Sequence, residues 1–366
     1  MVKRLLFSIL LLLCSIKANA LDYLTQYDKL KTSFETKNNL NFGINISYTM
    51  QKISSNTVSR NFITPYLTKD ILNSNLGKTL LNFSANFVRF PQKAPLDVAP
   101  KYHIATLFNN YDTNYNELYE LYLSHTFNQK YNFITLGLGQ IPISKFDCPI
   151  ASNLQRYYFL NSAIAQNTTF TYPTAGIGAF TELKLNNNTS LSFGAIDATN
   201  PLANSIHFKS FDKYSSFLSI NYTPKFKNKY HGSYSLLIYD KPSVKKSPFS
   251  SQGWSLYLTQ DISSKHSIFF RLNGATGQYP IINKSYSLGF LYDNPFNRNN
   301  SDQFAVAYST NRINNTTSKE HILETYYDYK LNSNVSIRPD IQLYINHKYK
   351  ENSPLAIFSV SLNLDL

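Results

Sequence analysis

The strongest constraint on this chain is a period of two that runs through its last 47 residues, Glu320 to Leu366. In Ser353–Leu366, Phe358, Val360, Leu362, Leu364 and Leu366 fall on one parity; Ser359, Ser361, Asn363 and Asp365 fall on the other. Alternation of this kind gives a strand one apolar and one polar face. The stretch before it repeats the pattern, with Val335, Ile337, Pro339, Ile341, Leu343 and Ile345 against Ser336, Arg338, Asp340, Gln342 and Tyr344. So does Leu323, Thr325, Tyr327, Tyr329 and Leu331 against Glu324, Tyr326, Asp328 and Lys330. Only Asn332 and Ser333 separate those two strands, as in a hairpin. Such lengths exceed the ~5–6 residues of soluble strands and suit the ~9–11 that a tilted strand needs to cross a bilayer. The pattern predicts the closing end of a transmembrane antiparallel β-barrel.

Residues 1–20 predict a secretory signal peptide. Lys3 and Arg4 precede an apolar run from Leu5 to Ile16, and Ala18-Asn19-Ala20 supplies small residues for cleavage. Leu13 before Cys14 argues against a lipoprotein anchor. The net charge of +13 falls to +10 once Lys3, Arg4 and Lys17 leave with the leader. Cys148 is then the only cysteine, which excludes an intrachain disulfide and a cysteine-rich zinc site. The basic residues are scattered with no Lys/Arg stripe, and an exported chain does not meet nucleic acid. After the leader, no apolar run reaches the ~18 residues of a spanning helix.

Leu24, Tyr27, Leu30 and Phe34 recur near a period of 3.6, so residues 21–39 read as a short helical segment at the periplasmic mouth or entering the barrel. The barrel domain is expected over 40–366. Strands are expected at 40–52, 57–68 and 78–90, the second marred by Pro65. From residue 117 the chain alternates strand, short turn, strand and long loop. Strand pairs fall at 117–127 and 131–140, 174–185 and 189–197, 214–222 and 230–239, 253–261 and 265–274, and 285–292 and 302–310. The two strands joined at Asn332-Ser333 and the terminal strand complete an all-β barrel of about 16 strands with its short turns periplasmic. A barrel of that size leaves a water-filled channel.

The inward parity carries Ser, Asn, Thr and Gly together with Glu120, Glu182, Lys184, Arg271, Glu324, Asp328, Arg338 and Asp340. A hydrated lumen tolerates such charges and a lipid face does not. They read equally as ion pairs bracing the wall or as groups that touch a solute. The longest loop, 141–173, is expected to fold inward as a constriction and offers Lys145, Asp147, Arg156, Tyr157, Tyr158 and Gln166. Segment 91–116 is expected to share that constriction. Enzyme readings fail: the seven histidines form no H-x-x-x-H pair and there is no G-x-S-x-G elbow. His266 and Ser267 point to opposite faces of their strand, and no cofactor or metal site is expected.

The segment Glu324-Thr325-Tyr326-Tyr327-Asp328-Tyr329, followed by Arg338-Pro339-Asp340-Ile341-Gln342-Leu343-Tyr344-Ile345-Asn346, resembles the C-terminal pattern of the carbohydrate-selective porins of Gram-negative outer membranes. That pattern has an E-x-x-Y strand and then a P-D-x-Q-Y-x-x-N strand. Gly253–Gln260 with Phe270-Arg271-Leu272, and Leu136–Gln140 before a long loop, are similar too. Leu343 replaces the pattern's tyrosine, His347-Lys348-Tyr349 its proline-glycine, and Leu366 a terminal aromatic. The resemblance implies a sixteen-stranded porin that admits glucose and related sugars by facilitated diffusion, with Pro339, Asp340 and Gln342 as a wall signature. The partners it implies are outer-membrane lipids, small sugars and the barrel assembly machinery; a homotrimer stays open, since no interface is legible. An anion-preferring general porin, and a non-channel barrel with adhesin-like outer loops, are the alternatives.

Overall fold

The computed structural model describes residues 18–109, 111–128, 131–147, 158–200, 203–204, 213–227, 229–245, 248–277, 281–345 and 354–366. The leader's apolar run with Cys14, and also Cys148, Arg156, Tyr157 and the loop 347–353, lie outside the described residues.

Sixteen long strands form one antiparallel sheet that closes on itself. They are β1 (Leu40–Ile53), β2 (Asn56–Ser74), β3 (Gly77–Arg89), β4 (Tyr115–Phe127), β5 (Ile134–Ile141), β6 (Gly176–Asn186), β7 (Thr189–Asp197) and β8 (Tyr214–Tyr222). The second half comprises β9 (Tyr230–Lys241), β10 (Ser251–Asp261), β11 (His266–Ala275), β12 (Ile282–Asp293), β13 (Gln303–Ile313), β14 (Lys319–Lys330), β15 (Val335–Ile345) and β16 (Leu355–Asp365). A two-residue ribbon, Lys225–Phe226, pairs only with the start of β9. Every long strand pairs with its sequence neighbours, and β16 returns to β1 with Tyr48 opposite Leu362 and Gln51 opposite Ser359. Closure removes the exposed edges an open sheet would present.

The expected sixteen strands are present, and the expected weak one is the longest. β2 spans 19 residues and passes straight through Pro65. Pro65 is matched with Ile44 of β1, while the β2–β3 ladder lapses between Ile63 and Tyr66. A proline without an N–H is tolerated where the ladder asks nothing of it. The long turn 294–302 keeps its place on the short-turn rim because Asp302 ties it together. Its carboxylate accepts from Arg298, from the backbone N–H of Lys330 at 2.9 Å and from the Tyr327 hydroxyl at 2.9 Å.

Outward rows carry the apolar residues, and around the short-turn rim they turn aromatic. Tyr222 meets Tyr234 at 6.0 Å between ring centroids, His266 meets Tyr292 at 4.6 Å, and Tyr327 meets Tyr329 at 6.4 Å. Such a belt suits the headgroup level of a bilayer. The N-terminal helix α1 (Ala18–Asn38) sits at this same rim. Asn334 Nδ2 donates to Asp28 at 2.9 Å, and Phe34 packs edge-on against Phe42 of β1 at 6.0 Å. No described helix is long and apolar enough to cross a membrane.

The inward rows are less uniformly polar than alternation alone implied. Phe180, Phe217, Leu237, Tyr239, Ile322 and Tyr326 point inward and are buried. They are seats for segments of the two long loops, which fold into the lumen and create two apolar clusters inside the barrel.

Candidate constriction site

Two inward loops meet the wall in two different ways. The first, 90–114, contains a short helix (Pro95–Val98) continued by a 3-10 turn (Ala99–Tyr102). The second, described over 142–147 and 158–175, contains short helices at Ser144–Asp147 and Ser162–Ala165.

On β14 and β15 hydrogen bonds fix loop backbone beside the larger apolar cluster, in which Phe159 packs on Tyr326 at 5.0 Å. The Glu320 carboxylate accepts the backbone N–H groups of Ala105 at 2.7 Å and Thr106 at 2.9 Å, and also the Thr106 hydroxyl. Four residues along the strand, on the same face, Glu324 accepts the N–H groups of Leu160 at 2.5 Å and Asn161 at 3.1 Å. Loop backbone inside a barrel has no ladder to satisfy its N–H groups, and a carboxylate is the strongest acceptor a wall can offer. Asn161 Nδ2 reaches Gln342 Oε1 at 3.0 Å and the Tyr344 hydroxyl at 2.5 Å, while its Oδ1 caps the 162–165 helix by accepting from Ala163 N at 2.9 Å. Gln342 Nε2 and the Tyr344 hydroxyl donate in turn to Phe108 O and Thr106 O of the other loop. On β1 and β2, Gln51 and Arg60 complete the hold: Gln51 exchanges bonds with Phe108 and Asn109, and Arg60 Nη1 donates to Asn109 Oδ1 at 2.7 Å.

On β6–β9 the contacts are apolar. Phe146 stacks on Phe217 at 4.4 Å and meets Phe180 edge-on at 5.1 Å. Phe180 has room for its ring because Gly137 and Gly194 flank it, and a Cβ at Gly137 would collide with that ring. Two wall hydroxyls fasten the same turn, Ser219 Oγ to Phe146 O at 2.7 Å and Ser235 Oγ to Asp147 O at 2.6 Å. The Tyr172 hydroxyl donates to Asp147 Oδ2 at 3.0 Å; burial, and then the neighbouring carboxylate, push its phenol well above the ordinary value, so it remains a donor.

The eight charges expected to line a hydrated lumen divide. Arg271, Glu324, Asp328, Arg338 and Asp340 are almost fully buried. Arg271 lies over the Tyr257 ring at 4.8 Å and Arg338 over Tyr326 at 5.4 Å. Asp328 faces Lys330 Nζ at 3.1 Å, and Asp340 stands beside Glu324 and accepts from Gln342 at 3.4 Å. Only Glu120, Glu182 and Lys184 keep substantial exposure on the inward parity. Glu120 accepts from Ser84 at 3.1 Å and lies 3.8 Å from Lys145 Nζ, which also donates to the Tyr122 hydroxyl. Of the remaining loop residues, Asp147 is buried as above, and half-buried Tyr158 packs against the larger apolar cluster. Gln166 merely ends the 162–165 helix.

Sequence reasoning missed Glu320, Gln51, Arg60, Asn109 and Asn161. Glu320 shares the parity of Glu324 and was legible on that ground. Arg60 lies on the strand that Pro65 obscured. The loop amides carry no period at all.

Between the 158–165 segment and β10–β13 lies a cavity of 230 Å³. Tyr158, Phe159, Tyr257 and Phe269 give it ring surfaces, and Thr259, Gln303, Asp261 and Asp293 give it polar ones. Among the described residues there is no group of His, Cys, Asp and Glu that could hold a metal ion. Ser263 Oγ lies 2.7 Å from His266 Nδ1, but the same oxygen accepts the backbone N–H groups of Lys265 and His266 and so closes the turn.

The fold is that of known porins. A structure titled high pH structure of Pseudomonas putida OprB superposes with a TM-score of 0.74 at 11% identity, covering 91% of this chain and 96% of that one. An anion-selective porin from Comamonas acidovorans gives 0.57 at 11% identity, covering 89% and 99%. Porin AaxA of Chlamydia pneumoniae is 30% identical over 304 residues, 79% of this chain and 68% of that protein. Porin AaxA of Chlamydia abortus is 30% identical over 295 residues, and the match spans 78% of this chain but only 65% of the relative. The profile of the carbohydrate-selective porin, OprB family, matches residues 222–366, which include the wall from β9 to β16 with Glu320, Glu324 and Gln342. By descent and by architecture together, this chain belongs to the OprB family of carbohydrate-selective porins.

Proposed function

We propose that this protein is an outer-membrane channel for passive diffusion of small hydrophilic solutes, with sugars such as glucose as its preferred cargo. The observation that carries the sugar reading is the cavity beneath the 158–165 segment. Half-buried Tyr158 offers ring surface to the apolar face of a pyranose, while Thr259, Gln303, Asp261 and Asp293 offer donors and acceptors to hydroxyls. A neutral polyol, which needs hydrogen bonds and stacking, fits such a lining better than an anion, which the Asp261 and Asp293 carboxylates repel. No bound cofactor and no energy coupling enter this reading. Residues 1–20 act as the export signal, and helix α1 lies on the periplasmic rim.

Arg271 favours a second reading. Its guanidinium belongs to the inward face and is held over Tyr257, and a fixed cation there favours anions. Single-channel recording in planar bilayers separates the two. Stepwise current that falls as glucose or maltose is added, with a weaker block in Tyr158→Ala, supports the sugar reading. Anion-selective current indifferent to sugar, with selectivity lost in Arg271→Ala, replaces it with the second. A correctly folded barrel that carries no current sinks both.

A further inference from the structure

We infer that the inward segments 105–109 and 158–165 are a single constriction element, and that Glu320 and Glu324 are positioning residues that set the bore by holding it against the wall. Each carboxylate grips one loop by two successive backbone N–H groups, Ala105 and Thr106 in the first, Leu160 and Asn161 in the second. The loops also grip each other. Ser162 N donates to Leu107 O at 3.0 Å, and Leu107 N donates to Ser162 Oγ at 3.1 Å. These reciprocal bonds join segments 55 residues apart into one short ladder. Wall groups then bridge the pair: Gln342 bonds Asn161 of one loop and Phe108 of the other, and Tyr344 bonds Asn161 and Thr106.

The arrangement has a definite mechanical consequence. Neither loop can leave the wall without breaking the bonds between them, so loosening one carboxylate loosens both loops. The grip needs an acceptor rather than a charge as such: the loop donors to these oxygens are backbone N–H groups and one hydroxyl, and the other group at Glu324 is the Asp340 carboxyl, not a cation. Loss of the acceptor leaves buried N–H groups unpaired, and the loop escapes that cost by moving into water.

The test reads ion conductance in potassium chloride without sugar, so it stands or falls separately from the sugar assignment. Glu324→Ala and Glu320→Ala are each expected to raise the single-channel step roughly twofold, since conductance follows the cross-section of the narrowest segment. The double variant is expected to go no further than the larger single one, because residues acting through one element are not additive. Glu324→Gln keeps a carbonyl acceptor and is expected to hold the wild-type step. Folding is checked by heat-modifiable electrophoretic mobility. Should Glu324→Ala not fold, Glu320→Ala with Glu320→Gln as its control carries the test alone, because loosening either carboxylate loosens both segments. Wild-type conductance in the alanine variants, effects that multiply in the double variant, or a Gln variant as open as the Ala variant would each overturn the inference.

Discussion

Both flanks of the lumen bury loop rings against the wall, but only the β14–β15 flank also grips loop backbone with carboxylates. On β14 and β15, buried carboxylates and amides grip loop backbone through hydrogen bonds, and the geometry of each bond fixes the loop to within a few tenths of an ångström. On β6–β9, a phenylalanine from the loop fills a socket of rings, and two serine hydroxyls only trim its position. A polar grip gives little net stability and much positional definition, whereas an apolar socket gives stability and tolerates small shifts. The β14–β15 flank is therefore the more closely defined of the two.

That contrast is broken most severely by Phe146→Ala. Emptying the socket is expected to cost about 3–5 kcal/mol, read as a lower denaturant midpoint in detergent or vesicles. Gly137→Ala attacks the same socket from below by colliding with Phe180, and it is expected to cost about 1–3 kcal/mol. If both variants unfold as wild type does, the apolar socket is not stabilising. On the defined flank, Gln342→Ala removes bonds to both loops and is expected to cost only about 1–2 kcal/mol while widening the distribution of conductance steps. A large stability loss with an unaltered step distribution would reverse the contrast.

Outside the lumen, Asp302 gives a smaller and pH-dependent effect. Partial burial works against its charge, yet the bonds from Arg298, Lys330 N and Tyr327 hold its carboxyl below the usual aspartate range. Its contribution is present at pH above the unfolded aspartate value of about 3.9 and is lost as pH falls through the lower folded value. Arg298→Ala is expected to cost under about 1 kcal/mol at neutral pH and to flatten that acid limb. Pro339→Ala sits at the bottom of the scale. The β14–β15 ladder already lapses between Tyr326 and Tyr329 opposite it, so a change within about 0.5 kcal/mol is expected.

The architecture was legible because lipid on one side and water on the other impose a two-residue period that survives any detail of packing. Strands β7 and β8 carry the bounds the alternation predicted, 189–197 and 214–222. β2 was undervalued because a proline counts against a strand locally, and only the pairing on both sides shows that its missing donor costs nothing. The site was less legible. Parity placed Glu324, Arg338 and Asp340 on the inner face, but not whether they meet water or a loop. That depends on register between segments such as Asn161 and Gln342, 181 positions apart, which no local pattern encodes. Phe180 and Phe217 illustrate the same limit, since an inward aromatic contradicts alternation until a loop arrives to cover it.

Closure through β1 and β16 has a kinetic consequence. Thr49 and Ser361 share a hydrogen bond 2.9 Å long across 312 residues of chain. The seam that completes the cylinder thus joins the first strand to the last, and the cost of closing so large a loop is met before any reward for it arrives. Until that seam zips, two long edges with unsatisfied amides exist at once, each able to template the wrong partner. A nascent chain of this design needs its edges sheltered for as long as the seam remains open.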